Sequence, residues 1–154
     1  LGDVYKRQGY IYFVDRIGDT FRWKSENVAT SEVGEVISAY KGVKEANVYG
    51  VLVPNQDGRA GMASIVVDDN FSLDGLYEYL CEQLPKYSVP VFIRLSPEIE
   101  KTGTFKYKKN DLAIEGFDPN KVADPLYFAS NDNEKYIQLD NGLFNKINNQ
   151  EVRI

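Results

Sequence analysis

The chain has 154 residues, 43% hydrophobic and 27% charged, with a formal net charge of −5; that length suits one domain burying roughly 68–70% of its unfolded surface. The acidic balance argues against a nucleic-acid-binding module, which is expected to be basic, and no apolar run approaches the ~18 residues of a membrane span. With no histidine and a single cysteine, Cys81, the chain excludes a Ser-His-Asp triad, a Cys-His pair, histidine metal ligands and an internal disulfide, and it fits a reducing, cytoplasmic setting.

Residues Leu1–Gln8 (LGDVYKRQ) are polar and lack the apolar core of a signal peptide. They are expected to be an assembly scar at a truncated start and are set apart from the fold. From Gly9 the pattern becomes regular. Tyr10, Tyr12 and Val14 alternate with Ile11, Phe13 and Asp15, and the aromatic and β-branched content predicts a strand. Gly18-Asp19 breaks it. Phe21, Trp23 and Val28 then predict a short hairpin turning around Lys24-Ser25-Glu26-Asn27.

Thr30 or Ser31 is the expected cap of a helix whose first turn carries Glu32. Val33, Val36, Ile37 and Tyr40 form one apolar stripe, and Gly42 stands where a C-terminal cap glycine belongs. Ala46–Val53 reads as a strand closed by Pro54, Asn55–Arg59 as a turn, and Met62–Val67 as the next strand, together a hairpin or sheet neighbours. Ser72 is the expected cap of a second helix with the stripe Leu73, Leu76, Tyr77, Leu80, Leu84, stopped by Pro85. Val91–Leu95 predicts a short strand, and Lys108–Glu115 one or two helical turns ending at Gly116. Phe117–Phe128, with two Asp-Pro steps and several aromatics, is expected to wrap over the surface by docking its rings. A polar turn at Asn131–Glu134 and a weak terminal helix over Asn141–Gln150 complete the chain. The expected class is α+β: a small sheet with helices packed on it, preceded by a short β-hairpin. The expected division is a probable non-native or truncated start at 1–8, a domain at 9–116, and an extension at 117–154 that packs on the domain.

Lys101, Lys106, Lys108 and Lys109 crowd into nine residues of an acidic protein, which makes either a local anion site or a solvated face. Lys106 follows Thr102-Gly103-Thr104-Phe105. Thr-Gly-Thr is loop chemistry that presents the next lysine at a tip, as a compact point charge suited to phosphate oxygens. A plain solvated lysine satisfies the same spacing. Asp15-Arg16 before Gly18-Asp19 reads as a pivot with an arginine beside it, or as an ordinary β-turn with a salt bridge.

These motifs taken together resemble the mobile C-terminal domain of adenylate-forming (AMP-binding) ligases, which activate carboxylic acids with ATP. Thr20–Asn27 (TFRWKSEN), Thr102–Lys106 (TGTFK) and the tail Gly116–Phe128 (GFDPNKVADPLYF) resemble the fatty acid transport protein or very-long-chain acyl-CoA synthetase branch in particular. The resemblance runs from Gly9 to about Leu139. It implies a catalytic role for Lys106, which would stabilise charge during adenylation. It implies a nucleotide contact at Asp15 and Arg16, a hinge at Gly18 and Asp19, and a CoA path along Arg22, Lys24, Ser25 and Glu26. The family usually has glycine where Phe105 and Ser25 stand. Glu32 matches the first acid of a Pro-x-Glu-Ile-Glu pattern whose second acid is replaced by Gly34.

The implied reaction is fatty acid, ATP and CoA to acyl-CoA, AMP and pyrophosphate, with this chain inactive alone. The implied partners are the large N-terminal domain of the same enzyme, which would hold Mg2+, and the three substrates. Peripheral attachment to the inner face of a membrane is compatible with it. The alternative is a stand-alone, non-catalytic module that binds an anion or a protein. The joint presence of Asp15-Arg16 and Lys106 distinguishes the two, since a binding module needs neither. A ligase for another acyl group remains open, because no acyl pocket lies in this segment.

Overall fold

A computed structural model describes residues 20–96, 109–130, 133–152 and 154. The first described element is a hairpin of strands β1 (Thr20–Trp23) and β2 (Glu26–Ala29), paired antiparallel from Thr20 opposite Ala29 to Trp23 opposite Glu26. Phe21, Trp23 and Val28 are buried while Arg22, Lys24 and Asn27 are exposed, the period-2 alternation that the sequence carries. The turn is tighter than expected. It consists of Lys24 and Ser25 alone, with φ of 53° and 68°. Two successive positive φ values give the turn whose twist matches that of the flanking strands.

Helix α1 (Thr30–Ser38) follows without a gap. Its cap is Ala29, which makes no side-chain cap hydrogen bond, so the expected capping by Thr30 or Ser31 is corrected. Thr30 is inside the helix and buried, because the chain leaves β2 directly into the first turn. Glu32 does lie in that turn, and Val33 and Ile37 enter the core as the stripe requires. The helix ends at Ser38 with Ala39 as its C-cap, so Gly42 caps nothing. Gly42 instead takes φ 89° in the turn before the next strand, and its carbonyl accepts the Asp68 amide at 2.8 Å.

Strands β3 (Val43–Val51) and β4 (Ala60–Val67) form the expected hairpin, antiparallel, with a register shift between Val43 and Glu45. Helix α2 (Leu76–Gln83) begins later than expected. Its cap is Gly75 at φ 93°, not Ser72. Leu76, Tyr77 and Leu80 are buried, and Pro85 follows the C-cap Leu84. A 3-10 turn at Lys86–Ser88 leads to β5 (Phe92–Leu95), which lies parallel to β4. Helix α3 (Lys109–Glu115) ends at Gly116, φ 60°, as read.

The tail departs from the expected surface wrap. Leu126–Ser130 forms strand β6, antiparallel to β5, and Lys135–Gln138 forms β7, antiparallel to β6. The described sheet therefore has five strands in the order β3-β4-β5-β6-β7. Helix α4 (Asn141–Asn148) is capped by Asp140, whose side chain accepts the Leu143 amide at 2.8 Å. The tail aromatics do dock: the Phe117 ring stacks on Phe92 at 4.2 Å, and Phe144 meets Phe117 edge-on at 5.4 Å. Seven successive residues of β4, Ala60–Val66, are buried, so both faces of the central strand are covered. The fold is the expected α+β arrangement of a small mixed sheet, packed helices and a separate two-stranded hairpin.

Candidate functional site

Asp15, Arg16, Gly18, Asp19 and Lys106 lie outside the described residues, as does the strand expected over Tyr10–Val14. The described part of the site is the hairpin, with Arg22, Lys24, Ser25 and Glu26 all exposed. Its seat explains how four short-range polar residues become a fixed feature. Gly50 and Gly61 are cross-strand partners on β3 and β4, and the Phe21 ring lies on them. A Cβ on Gly50 would stand 2.9 Å from Phe21 Cβ, and one on Gly61 would stand 3.2 Å from Phe21 Cζ. Glycine inside a strand marks such close approaches.

A second clamp holds the edge of the hairpin. The Arg59 amide donates to the Arg22 carbonyl at 2.7 Å, and Trp23 bridges to Gly58. Gly58 has φ 79°, and a Cβ there would fall 2.2 Å from the Arg22 carbonyl oxygen. The loop Asn55–Arg59, read as a turn, is thus also a fastener. Trp23, 3% exposed, is a core residue as its size suggested.

The polar groups on the hairpin are organised. Arg22 Nη1 donates to Asn27 Oδ1 across the pair at 3.1 Å. An arginine carries five N–H donors, so this bond orients the guanidinium without using up its capacity. Lys24 Nζ donates to the Ile154 carbonyl at 2.8 Å and lies 5.9 Å from the centre of the Trp23 ring. Trp23, Lys24, Tyr77, Lys86, Tyr87 and Ile154 help line a cavity of about 50 Å³ beneath it. Lys86 Nζ donates to the Tyr77 hydroxyl at 2.5 Å, and that bond raises the lysine pKa above its ordinary value. The result is an exposed ribbon with cationic side chains along it, suited to extended, anionic ligands.

Far from the turn, Arg94 on β5 is 6% exposed. Its Nη1 donates to Glu115 Oε1 at 2.5 Å and its Nε to Asp124 Oδ2 at 2.9 Å. Burial alone would lower its pKa, but the two carboxylates more than reverse this and raise it above the ordinary arginine value. Sequence reasoning passed over Arg94. The available signal was a lone charge inside the apolar run Val91–Leu95. A wider groove of about 550 Å³ runs beside α3, lined in part by Leu52, Ile114, Phe117 and Lys121. Among the described residues no three His, Cys, Asp or Glu side chains are grouped as metal ligands, and no helix is long and apolar enough to cross a membrane.

Residues 32–106 match the family model of the AMP-binding enzyme C-terminal domain. Long-chain fatty acid transport protein 6 of Mus musculus is 46% identical over 164 residues, covering 99% of this chain and 26% of the relative. Long-chain fatty acid transport protein 2 of Rattus norvegicus is 43% identical over 164 residues, with the same 99% and 26% coverage. The chain thus spans 26% of the length of these curated relatives.

Among solved structures, the Mycobacterium tuberculosis fatty acyl CoA synthetase superposes with a TM-score of 0.55 at 29% identity, over 66% of this chain and 20% of that one. The o-succinylbenzoate CoA synthetase of Bacillus subtilis, bound with its product analogue, gives 0.53 at 26% identity, over 61% of this chain and 19% of that one. The same small domain, at a similar share of a much longer chain, recurs in each case. The chain is therefore a C-terminal domain of the adenylate-forming (AMP-binding) ligase family, homologous to the long-chain fatty acid transport proteins.

Proposed function

We propose that this chain is the mobile C-terminal domain of an ATP-dependent long- or very-long-chain fatty acyl-CoA synthetase. Fatty acid and ATP give acyl-adenylate and pyrophosphate; the CoA thiol then displaces AMP. The chain serves both steps with different faces and does not catalyse alone. In the first step Lys106 enters the site of the large domain and stabilises the negative charge shared among carboxylate, α-phosphate and pyrophosphate. Asp15 and Arg16 meet the nucleotide. The domain then turns about Gly18 and Asp19.

In the second step CoA runs along the hairpin. Extended backbone of the hairpin strands lies beside the pantetheine amides, and Arg22 or Lys24 meets phosphate. The observation that carries this reading is the hairpin itself. Its outer edge is polar and cationic, while Phe21 anchors it on the Gly50–Gly61 floor and Trp23 bridges to Gly58. That is a rigid ribbon presented outward, in a domain homologous to the fatty acid transport proteins. The Mg2+ that accompanies ATP belongs with the large domain. A cytoplasmic position at the inner face of a membrane, held peripherally, belongs to the same reading.

The test is pyrophosphate exchange into ATP, driven by a long-chain fatty acid, in the full-length ligase carrying this domain. Lys106→Ala should lower the exchange rate roughly 10²–10³-fold, the usual loss for one transition-state donor. Exchange at the parent rate would remove Lys106 from the reaction.

A further inference from the structure

The tail reaches back to the hairpin. Lys24 Nζ donates to the Ile154 carbonyl at 2.8 Å, a bond that spans 130 positions of sequence. Both residues line the small cavity that Trp23, Tyr77 and Tyr87 also line. The route to this contact is built into the end of α4. The Gln150 amide donates to the Ile147 carbonyl at 3.1 Å, and the Glu151 amide to the Lys146 carbonyl at 2.8 Å. These are the two bonds of a Schellman cap. The cap needs a left-handed residue, most often glycine, yet here Gln150 takes φ 62°. The chain then leaves the helix, Val152 packs against the core, and Ile154 arrives beside Lys24.

This route lies in the part of the chain outside the family model, which matches residues 32–106. The relatives named as fatty acid transport proteins cover 99% of the chain and so include it. The contact therefore belongs to that branch rather than to the common domain.

Its chemistry suits a preparatory role. Lys24 sits on a turn of two residues and is exposed, and a long side chain in that position is costly to order when a ligand binds. The Ile154 carbonyl orders it beforehand. A carbonyl is uncharged, so the ammonium keeps its charge, and one bond uses one of its three N–H donors. The Trp23 ring, 5.9 Å from Nζ, flanks the held position.

We infer that Ile154 is a positioning residue for the thioester half-reaction: its carbonyl holds the Lys24 ammonium at the hairpin turn, ready for a CoA phosphate. This rests on the reading of Lys24 as a CoA contact given above. The tail is then part of the CoA path, although it touches no substrate.

The experiment measures thioester formation from supplied acyl-adenylate and CoA in the full-length ligase, with pyrophosphate exchange alongside. A Gly-Ser insertion between Glu151 and Val152 displaces the carbonyl without removing a residue. It should raise KM for CoA about 2- to 10-fold, the cost of ordering one long side chain, and leave kcat and exchange within about twofold. In a Lys24→Ala background the insertion should have no further effect on KM, which separates action through Lys24 from a general loosening of the domain. Truncation after Glu151 carries the test if the insertion folds poorly. An unchanged or lowered KM, an equal loss of exchange, or an effect that persists in Lys24→Ala overturns the inference. Lys24→Ala alone separates the two failures. If it raises KM for CoA and the insertion does not, only the role of Ile154 falls. If it leaves KM unchanged, the reading of Lys24 falls and this inference falls with it.

Discussion

Gly50→Ala isolates the seat of the hairpin. The added Cβ would lie 2.8 Å from Arg59 Cβ, 2.9 Å from Phe21 Cβ and 3.0 Å from Phe21 Cγ. Ordinary carbon contacts are about 3.5–4.0 Å, so Phe21 or the strand beneath it must move by about 0.6–1 Å. Overpacking of this kind costs about 1–3 kcal/mol. Alanine recovers about 0.5–1 kcal/mol of that, because glycine is the poorer residue inside a strand. The net loss is centred on about 1 kcal/mol and reaches at most about 2.5 kcal/mol, which for a chain of this size lowers Tm by a few degrees and by at most roughly 10 °C.

The assay comes with the molecule. Trp23 is the only tryptophan in the chain and is 3% exposed, so its emission reports the hairpin alone. Gly50→Ala should shift that emission to the red before the far-ultraviolet signal of the sheet is lost. In a Phe21→Ala background the penalty of Gly50→Ala should shrink but persist, because only the Cγ contact is removed while Arg59 Cβ and the Cβ at position 21 are still close; coupling of this kind is what contacting residues show. A Gly50→Ala protein with the parent Tm and the parent emission would refute the proposed seat.

Two further outcomes concern the core and the tail. Tyr136 donates to the Pro90 carbonyl at 2.7 Å, and its pKa lies well above the usual 10, because burial disfavours the phenolate and Cys81 and Tyr77 add to the effect. An unfolded tyrosine ionises near pH 10, so the stability from this group is complete below about pH 10 and is lost as pH rises toward the folded value. Urea midpoints measured from pH 8 to 11 should fall less steeply for Tyr136→Phe than for the parent, after an initial loss of about 1 kcal/mol for the missing hydrogen bond; parallel curves would contradict this. Asp140→Ala removes the cap of α4 and should cost about 1 kcal/mol, seen as a Tm lowered by about 2–4 °C in a thermal melt.

Much of this architecture was legible in the chain because local pattern and tertiary demand agree. Val33 and Ile37, Leu76 and Leu80, and the Phe21/Trp23 alternation each announce a buried face that the fold then buries. Helix starts were less legible. Hydroxyl caps at Thr30 and Ser72 are sound local chemistry, but Thr30 is drawn inward as β2 runs straight into α1, and Gly75 takes over by adopting a left-handed backbone. The tail misled for a different reason. Its Asp-Pro steps read as surface wrap, yet Leu126–Ser130, just beyond the last proline, finds an open strand edge on β5. Sheet pairing is non-local, and nothing within those five residues states it.

The site was legible as a list of residues and not as an arrangement. TFRWKSEN marks the hairpin, but its floor comes from Gly50 and Gly61, about thirty to forty positions on, and its fastener from Gly58. Arg94 was hidden by its apolar neighbours, and its partners Glu115 and Asp124 are 21 and 30 residues away.

The central claim is that one small domain offers different faces to two half-reactions. The measurement that tests it most directly pairs Lys106→Ala with the double variant Arg22→Ala/Lys24→Ala in the full-length ligase, scoring pyrophosphate exchange and thioester formation from supplied acyl-adenylate. Lys106→Ala should lose exchange and keep thioester formation. The hairpin variant should keep exchange and raise KM for CoA about 10- to 100-fold, the loss of one or two charge-assisted contacts. If both variants lose the same half-reaction, or each loses both equally, the two-face account is wrong.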